Sequence, residues 1–167
     1  DSDICFIGHE YGSLHEGRAE LLGTIEASGL SFKFWGCRGN PEVRGIEHNK
    51  AVAASKINIV HSGWPNVEKY CSQRLYRVLG AGGFCLINRH KNIESWLPVG
   101  KGLIVFSSPE ECIEKARYYL KHEEERRKIA EYGREWALQN TYKHRIASVL
   151  HHVESPQFFY QHYKDIR

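Results

Sequence analysis

With 167 residues the chain is long enough for one domain with a sizeable core. Its 41% hydrophobic and 26% charged residues are ordinary for a globular domain. A net charge of only +3, with acids interleaved among the bases, excludes the basic stripe that nucleic-acid binding needs.

No apolar run approaches the ~20 residues of a membrane helix. The five cysteines show no CxxC or HxxxH spacing, so neither a disulfide framework nor a zinc site is indicated. No signal peptide precedes the first strand, and a reducing, cytoplasmic compartment is expected. The sequence contains no methionine and opens almost directly on a strand, which reads as a fragment of a longer protein.

In chain order, Ile4-Cys5-Phe6-Ile7 is a short apolar strand closed by Gly8, and a loop with Gly12 and Ser13 follows. Residues 16–28 predict a helix with Ala19, Leu22 and Ile25 inward and Glu20 and Glu26 in solvent. Gly29 stops it. Residues 31–35 alternate as a second strand, and residues 37–45 are a loop with two glycines and Pro41. Residues 47–55 predict a short, alanine-rich helix.

Residues 56–88 are the stretch around which the chain is organised. Ile57, Ile59 and Val60 mark a strand over 56–61, and residues 84–87 mark another. Between them Ser72 is positioned to cap a helix with Leu75, Val78 and Leu79 inward. Gly80, Ala81, Gly82 and Gly83 end it, because glycine tolerates a left-handed turn at low cost. In this βαβ unit, free backbone N–H groups at the helix start, the helix dipole and Arg74 converge, a combination that suits phosphate. An ordinary capped helix with a solvated arginine is the alternative.

A short helix over 93–97 and a strand over 103–106 come next. Ser108-Pro109-Glu110-Glu111 is a capping box with proline at the first helical position. Ile113, Ala116 and Leu120 give that helix its buried stripe. The helix from Glu123 turns Ile129, Gly133, Trp136 and Ala137 inward. Thr141 caps a last long helix, read as buried through Ile146, Val149, Leu150 and Val153.

Alternating strands and helices specify an α/β, Rossmann-like parallel sheet with helices on both faces and a helical C-terminal segment. Residues 1–155 form that domain and residues 156–167 an aromatic tail with Phe158, Phe159, Tyr160 and Tyr163. Ligands of such sheets bind beyond the carboxyl ends of the strands, here residues 8–13, 36–40, 61–74 and 88–90. His61 and Ser62 lie there, within reach of a sugar or phosphate, though a loop histidine without function reads equally well. Lys56, at the opposite end of its strand, reads as structural or surface. His151 and His152 are adjacent on a helix and face different ways, which argues against a metal pair. Gly8-His9-Glu10-Tyr11-Gly12 does not supply the GxGxxG of a dehydrogenase.

Several motifs in this order carry a family resemblance: Ile7-Gly8 with Arg18, Phe34-Trp35-Gly36, Ala54-Ser55-Lys56-Ile57-Asn58, Ser72-Gln73-Arg74-Leu75-Tyr76 and Gly82-Gly83. Tyr118-Tyr119-Leu120, Glu125-Arg126, Ile129-Ala130, Gly133-Arg134 and Thr141-Tyr142 continue it. Together they resemble the C-terminal half of the glycosyl transferases group 1 family, in its spore-maturation-type branch. The resemblance implies one half of a GT-B architecture, the half that holds a nucleotide-diphosphate sugar. It also implies an acceptor half elsewhere, on an N-terminal domain or partner chain, that supplies the catalytic base. No metal is expected, since N–H groups and basic side chains stabilise the leaving diphosphate.

By the same resemblance the donor-binding residues are Gly8, Gly12, Ser13, Arg18, His61, Ser62, Ser72, Gln73 and Arg74. The loop after Gly36 would lie near the base. The last helix would cross to the N-terminal domain, and the tail could leave apolar surface for a partner or a second copy. One departure stands out. Arg77 and Lys69 occupy positions, eight residues apart, where the family places glutamates, and an arginine cannot accept a hydrogen bond from a ribose hydroxyl. The expected function is a glycosyltransferase donor domain; the alternative is a non-catalytic binding domain that keeps the half-fold.

Overall fold

The computed structural model describes residues 2–10 and 17–154. β1 (Ser2–Ile7), β2 (Phe32–Trp35), β3 (Ser55–Val60), β4 (Cys85–Asn88) and β5 (Ile104–Phe106) form one wholly parallel sheet. Their order is β2-β1-β3-β4-β5. In β3 every residue from Ile57 to Val60 is buried, as a strand covered on both faces requires. Alternation then sends Ile4, Phe6, Ile57 and Ile59 into one core and Val60, Cys85 and Ile87 into the other.

The first core is closed by α1 (Arg18–Ala27) and α4 (Pro109–Lys121). The second is closed by α2 (Gly45–Ala53), α3 (Arg74–Gly80) and α5 (Glu123–Leu138), which reaches the first core through Ile129 and the second through Ala137. The α/β, Rossmann-like reading holds. Lys56 is also as read: its ammonium pairs with Asp3 at 2.8 Å, at the end of the sheet away from the strand carboxyl ends.

The Ser108 hydroxyl caps α4 by accepting from Glu111 N at 3.2 Å, with Pro109 in the first turn. The return bond of the capping box lands one residue early: Ser107 N donates to the Glu111 carboxylate at 2.6 Å. α5 packs its backbone against the loop before β5. A Cβ on Gly133 would collide with the Gly102 carbonyl.

Three helix faces differ from expectation. In α1, Ala19 is exposed, and Arg18, Leu21, Leu22 and Ile25 face inward; the helix rotates so that an arginine takes the inner position. In α4 the buried positions are Cys112, Ala116 and Tyr119, while Ile113 and Leu120 pack at the margin. The largest correction concerns α6 (Tyr142–Glu154). Ile146, Val149, Leu150 and Val153 are 57%, 61%, 52% and 57% exposed, so the stripe read as buried faces outward. Periodicity reports that a face is apolar; it does not report what covers it. Thr141 does not cap α6 through its side chain as expected, its hydroxyl bonding the His144 ring at 2.8 Å instead. The tail over 156–167 lies outside the described residues.

Candidate functional site

In this strand order the chain leaves β1 toward one edge of the sheet for β2 and toward the other for β3. A crevice therefore opens beyond their carboxyl ends. Gly8 follows β1, His61 and Ser62 follow β3, Arg18 begins α1, and Ser72 and Arg74 sit at the start of α3. These residues converge on that crevice. Gly12 and Ser13 lie outside the described residues.

Two arginines form its floor. Arg18 is fully buried, donating from Nη2 to the His61 carbonyl at 2.7 Å and from Nη1 to the His9 carbonyl, with Nε unbonded. Arg74 donates to the same His61 carbonyl at 3.2 Å, to the Ile7 carbonyl at 3.5 Å and from Nε to Ser72 Oγ at 3.0 Å. Both guanidiniums lie against the Phe6 ring, 5.6 and 6.0 Å from its centroid. Gly8 makes the arrangement possible, because a Cβ there would occupy the position of the Arg74 tip.

The electrostatics are one-sided. Burial first, and then repulsion from Arg74, pulls the Arg18 guanidinium down to about 10. Burial also holds Arg74 below the ordinary arginine value. Neither forms an ion pair with a carboxylate among the described residues. Two desolvated cations sharing one carbonyl oxygen are unfavourable alone, and an anion between them offsets that cost.

Ser62 and Ser72 serve the frame. Ser62 is fully buried, its hydroxyl accepting from Ser72 N at 2.9 Å. Its backbone is gripped by Asn88, which accepts from Ser62 N at 2.8 Å and donates to Ser62 O at 3.2 Å. Asn88, expected only as part of the 88–90 strand end, is the residue that fixes this turn; its signal is a polar residue closing an otherwise apolar strand. Ser72 does not cap α3 in the expected way, because Gln73 is the cap position and no side-chain cap bond forms there. The amides of Ser72, Arg74 and Leu75 already donate within the chain, so the tip is not the cluster of free N–H groups expected. The positive charge at this tip is that of the guanidiniums.

Gln73 is turned away, its amide donating to the Tyr142 hydroxyl at the start of α6. Arg77 and Lys69 are exposed and line a cavity beside α3. Glu68 accepts from Asn92 Nδ2 at 2.7 Å, in the loop after β4. All five cysteines are free. Among the described residues, no three His, Cys, Asp or Glu side chains gather as a metal site, and no helix is long and apolar enough to cross a membrane.

The profile of a family described as glycosyl transferase-like matches residues 16–151. The chain belongs to this glycosyl transferase-like family. No curated protein matches it. Among solved structures, this glycosyl transferase-like chain is similar to a sucrose-phosphate synthase from Thermosynechococcus elongatus, at 10% identity and a TM-score of 0.64. That match covers 99% of this chain and 46% of the other. A GtfA/B complex follows at 11% identity and TM-score 0.57, covering 86% and 34%. AviGT4, a glycosyltransferase involved in avilamycin A biosynthesis, matches at 14% and 0.52, covering 87% and 50%. Identities this low speak to fold, and the fold of this glycosyl transferase-like domain is one half of a GT-B architecture. The chain spans half or less of the length of each of these structures.

Proposed function

We propose that this domain binds the nucleotide-diphosphate sugar of a glycosyl transfer reaction, with the diphosphate held in the crevice between β1 and β3. The observation that carries the reading is the pair of a fully buried Arg18 and a half-buried Arg74, side by side in the crevice with no carboxylate partner among the described residues. A diphosphate supplies the missing counter-charge and accepts charge-assisted bonds from the guanidinium edges. As the sugar departs, charge builds on the diphosphate, and the same cations stabilise it where a metal would otherwise serve. Gly8 keeps the approach to Arg74 open. The acceptor, and the base that activates it, come from another domain or chain.

Titration calorimetry with UDP, GDP and their sugars tests this. We expect at least one diphosphate to bind, with or without EDTA. Arg74→Gln should weaken that binding about ten-fold or more, since a hydrogen bond to a charged group is worth ~1.5–3 kcal/mol. Arg74 is half-buried at the surface of the crevice, so the variant folds. No binding by any of these nucleotides at millimolar concentration overturns the reading.

A further inference from the structure

The sheet face under α2 and α3 carries one polar side chain in its middle. Cys5 pairs in register with Asn58, and Asn58 with Cys85, so the three form a row across β1, β3 and β4. Asn58 is 2% exposed and lies between the buried Ile57 and Ile59. Its Nδ2 donates to the Val52 carbonyl at 3.4 Å, which turns Oδ1 the other way. Gly83 makes room for the amide, since a Cβ there would stand 2.8 Å from that Nδ2. From α2 the fully buried His48 comes to the same place. Both line a cavity of about 10 Å³, the space of a single water, and Arg74 and Val78 of α3 line it too.

Each of the two polar side chains has an unused atom. His48 Nε2 and Asn58 Oδ1 are shielded from solvent and have no partner among the described residues. A buried polar atom is costly unless it is bonded, and a bound water is the ordinary remedy. Burial first, and then the charge of Arg77, holds the His48 ring below the usual histidine range, so it is neutral at pH 7. Its Nδ1 lies 3.4 Å from Asn49 Oδ1, an atom that only accepts, so Nδ1 carries the proton and Nε2 the lone pair. The two unused atoms are therefore both acceptors. They call for a molecule with two hydrogens to give, small enough for this space. Water fits, and its oxygen then accepts in return. A donor for it is on the wall: Arg74 has five N–H groups and spends three on Ser72, Ile7 and His61. A cation also suits two acceptors, but the charges of Arg74 and Arg77 exclude one here.

We infer that one buried water joins His48 Nε2, Asn58 Oδ1 and the Arg74 guanidinium, making His48 and Asn58 positioning residues that hold Arg74 from beneath the crevice. The effect on ligand affinity rests on the diphosphate reading; the water itself does not. NMR on the isotope-labelled 167-residue chain tests the water directly. The His48 ring should be the Nδ1–H tautomer, and its protons and the Asn58 amide protons should show cross-relaxation with a long-lived water. His48→Phe removes the acceptor and should abolish the water signal at Asn58 and shift the Arg74 Nε–H resonance. His48→Gln keeps an acceptor and should restore both. UDP affinity should fall about five-fold in His48→Phe, the equivalent of one neutral hydrogen bond, and recover in His48→Gln. A merely structural histidine predicts no such rescue. An Nε2–H tautomer, or no long-lived water beside Asn58, overturns the inference. So does an Arg74 resonance, or a UDP affinity, that is the same in His48→Phe as in the unsubstituted chain. Absence of UDP binding to the unsubstituted chain overturns the diphosphate reading alone, and the resonances then decide the water.

Discussion

A buried arginine without a carboxylate is costly, and among the described residues the crevice holds Arg18 in that state beside a second cation. What makes it tolerable is local: carbonyl oxygens of His9, His61 and Ile7 accept from the pair, and the Phe6 ring lies against both. Gly8 is the third participant, since a side chain there would take the space of the Arg74 tip. The obstacle is the end of a flexible side chain, so Gly8→Ala displaces Arg74 at modest cost in stability, about 1–3 kcal/mol with backbone strain included. We expect UDP affinity to fall about as far as in Arg74→Gln, because both changes remove the same guanidinium. The double variant should then bind no worse than either single, a non-additivity that marks one shared contact. Gly8→Ala binding UDP like the unsubstituted chain would show that the ligand does not use Arg74 where it now stands.

Among the elements, two helical glycines separate what a sequence can and cannot say. Gly23 lies within α1 with nothing near a built Cβ, so Gly23→Ala should stabilise by about 0.5–1 kcal/mol through backbone entropy. Gly133 lies within α5, where the added methyl meets the backbone carbonyl of Gly102, and overpacking should cost about 1–3 kcal/mol. Urea midpoints for the two variants should therefore move in opposite directions; a shared direction would mean α5 does not sit that close. Nothing local distinguishes these glycines, because the difference lies in a partner thirty residues away. The same limit explains the rest of the reading. The strands were legible because a strand buried on both faces is a run of Ile, Val and Cys, and α4 was legible because Ser108 and Pro109 mark its start. The crevice was legible through topology, since residues at strand carboxyl ends converge in any such sheet. Arg18 was placed there by resemblance, and its burial could not be read, because a charged residue at a helix start ordinarily points to water. Gln73 and Arg74 are neighbours in sequence that turn to different partners, since α3 separates them by about 100° of rotation. The cavity beside α3 was invisible for a similar reason: Lys69, Trp96 and Arg145 meet only once α5 and α6 are in place.

At the scale of the whole molecule, stability should reside in the covered sheet and not in α6. The two cores hold the fully buried Leu22, Ile57, Leu79 and Leu86, whereas the apolar stripe of α6 is more than half exposed along its length. An apolar residue in water in both the folded and unfolded states contributes little to the difference between them. Val149→Lys with Leu150→Lys should accordingly shift the urea-unfolding free energy of the 167-residue chain by no more than about 0.5 kcal/mol per site. Leu79→Ala, at a fully buried position of α3, should cost about 2–5 kcal/mol in the same measurement. The contrast inverts what the heptad-like spacing of Ile146, Val149, Leu150 and Val153 alone suggests, which would make the α6 changes the damaging ones. If the lysine pair costs as much as Leu79→Ala, then α6 is covered in solution by surface of this chain or of a second copy. Repeating the measurement across a hundred-fold range of protein concentration separates those two, because only the cost from a second copy depends on concentration.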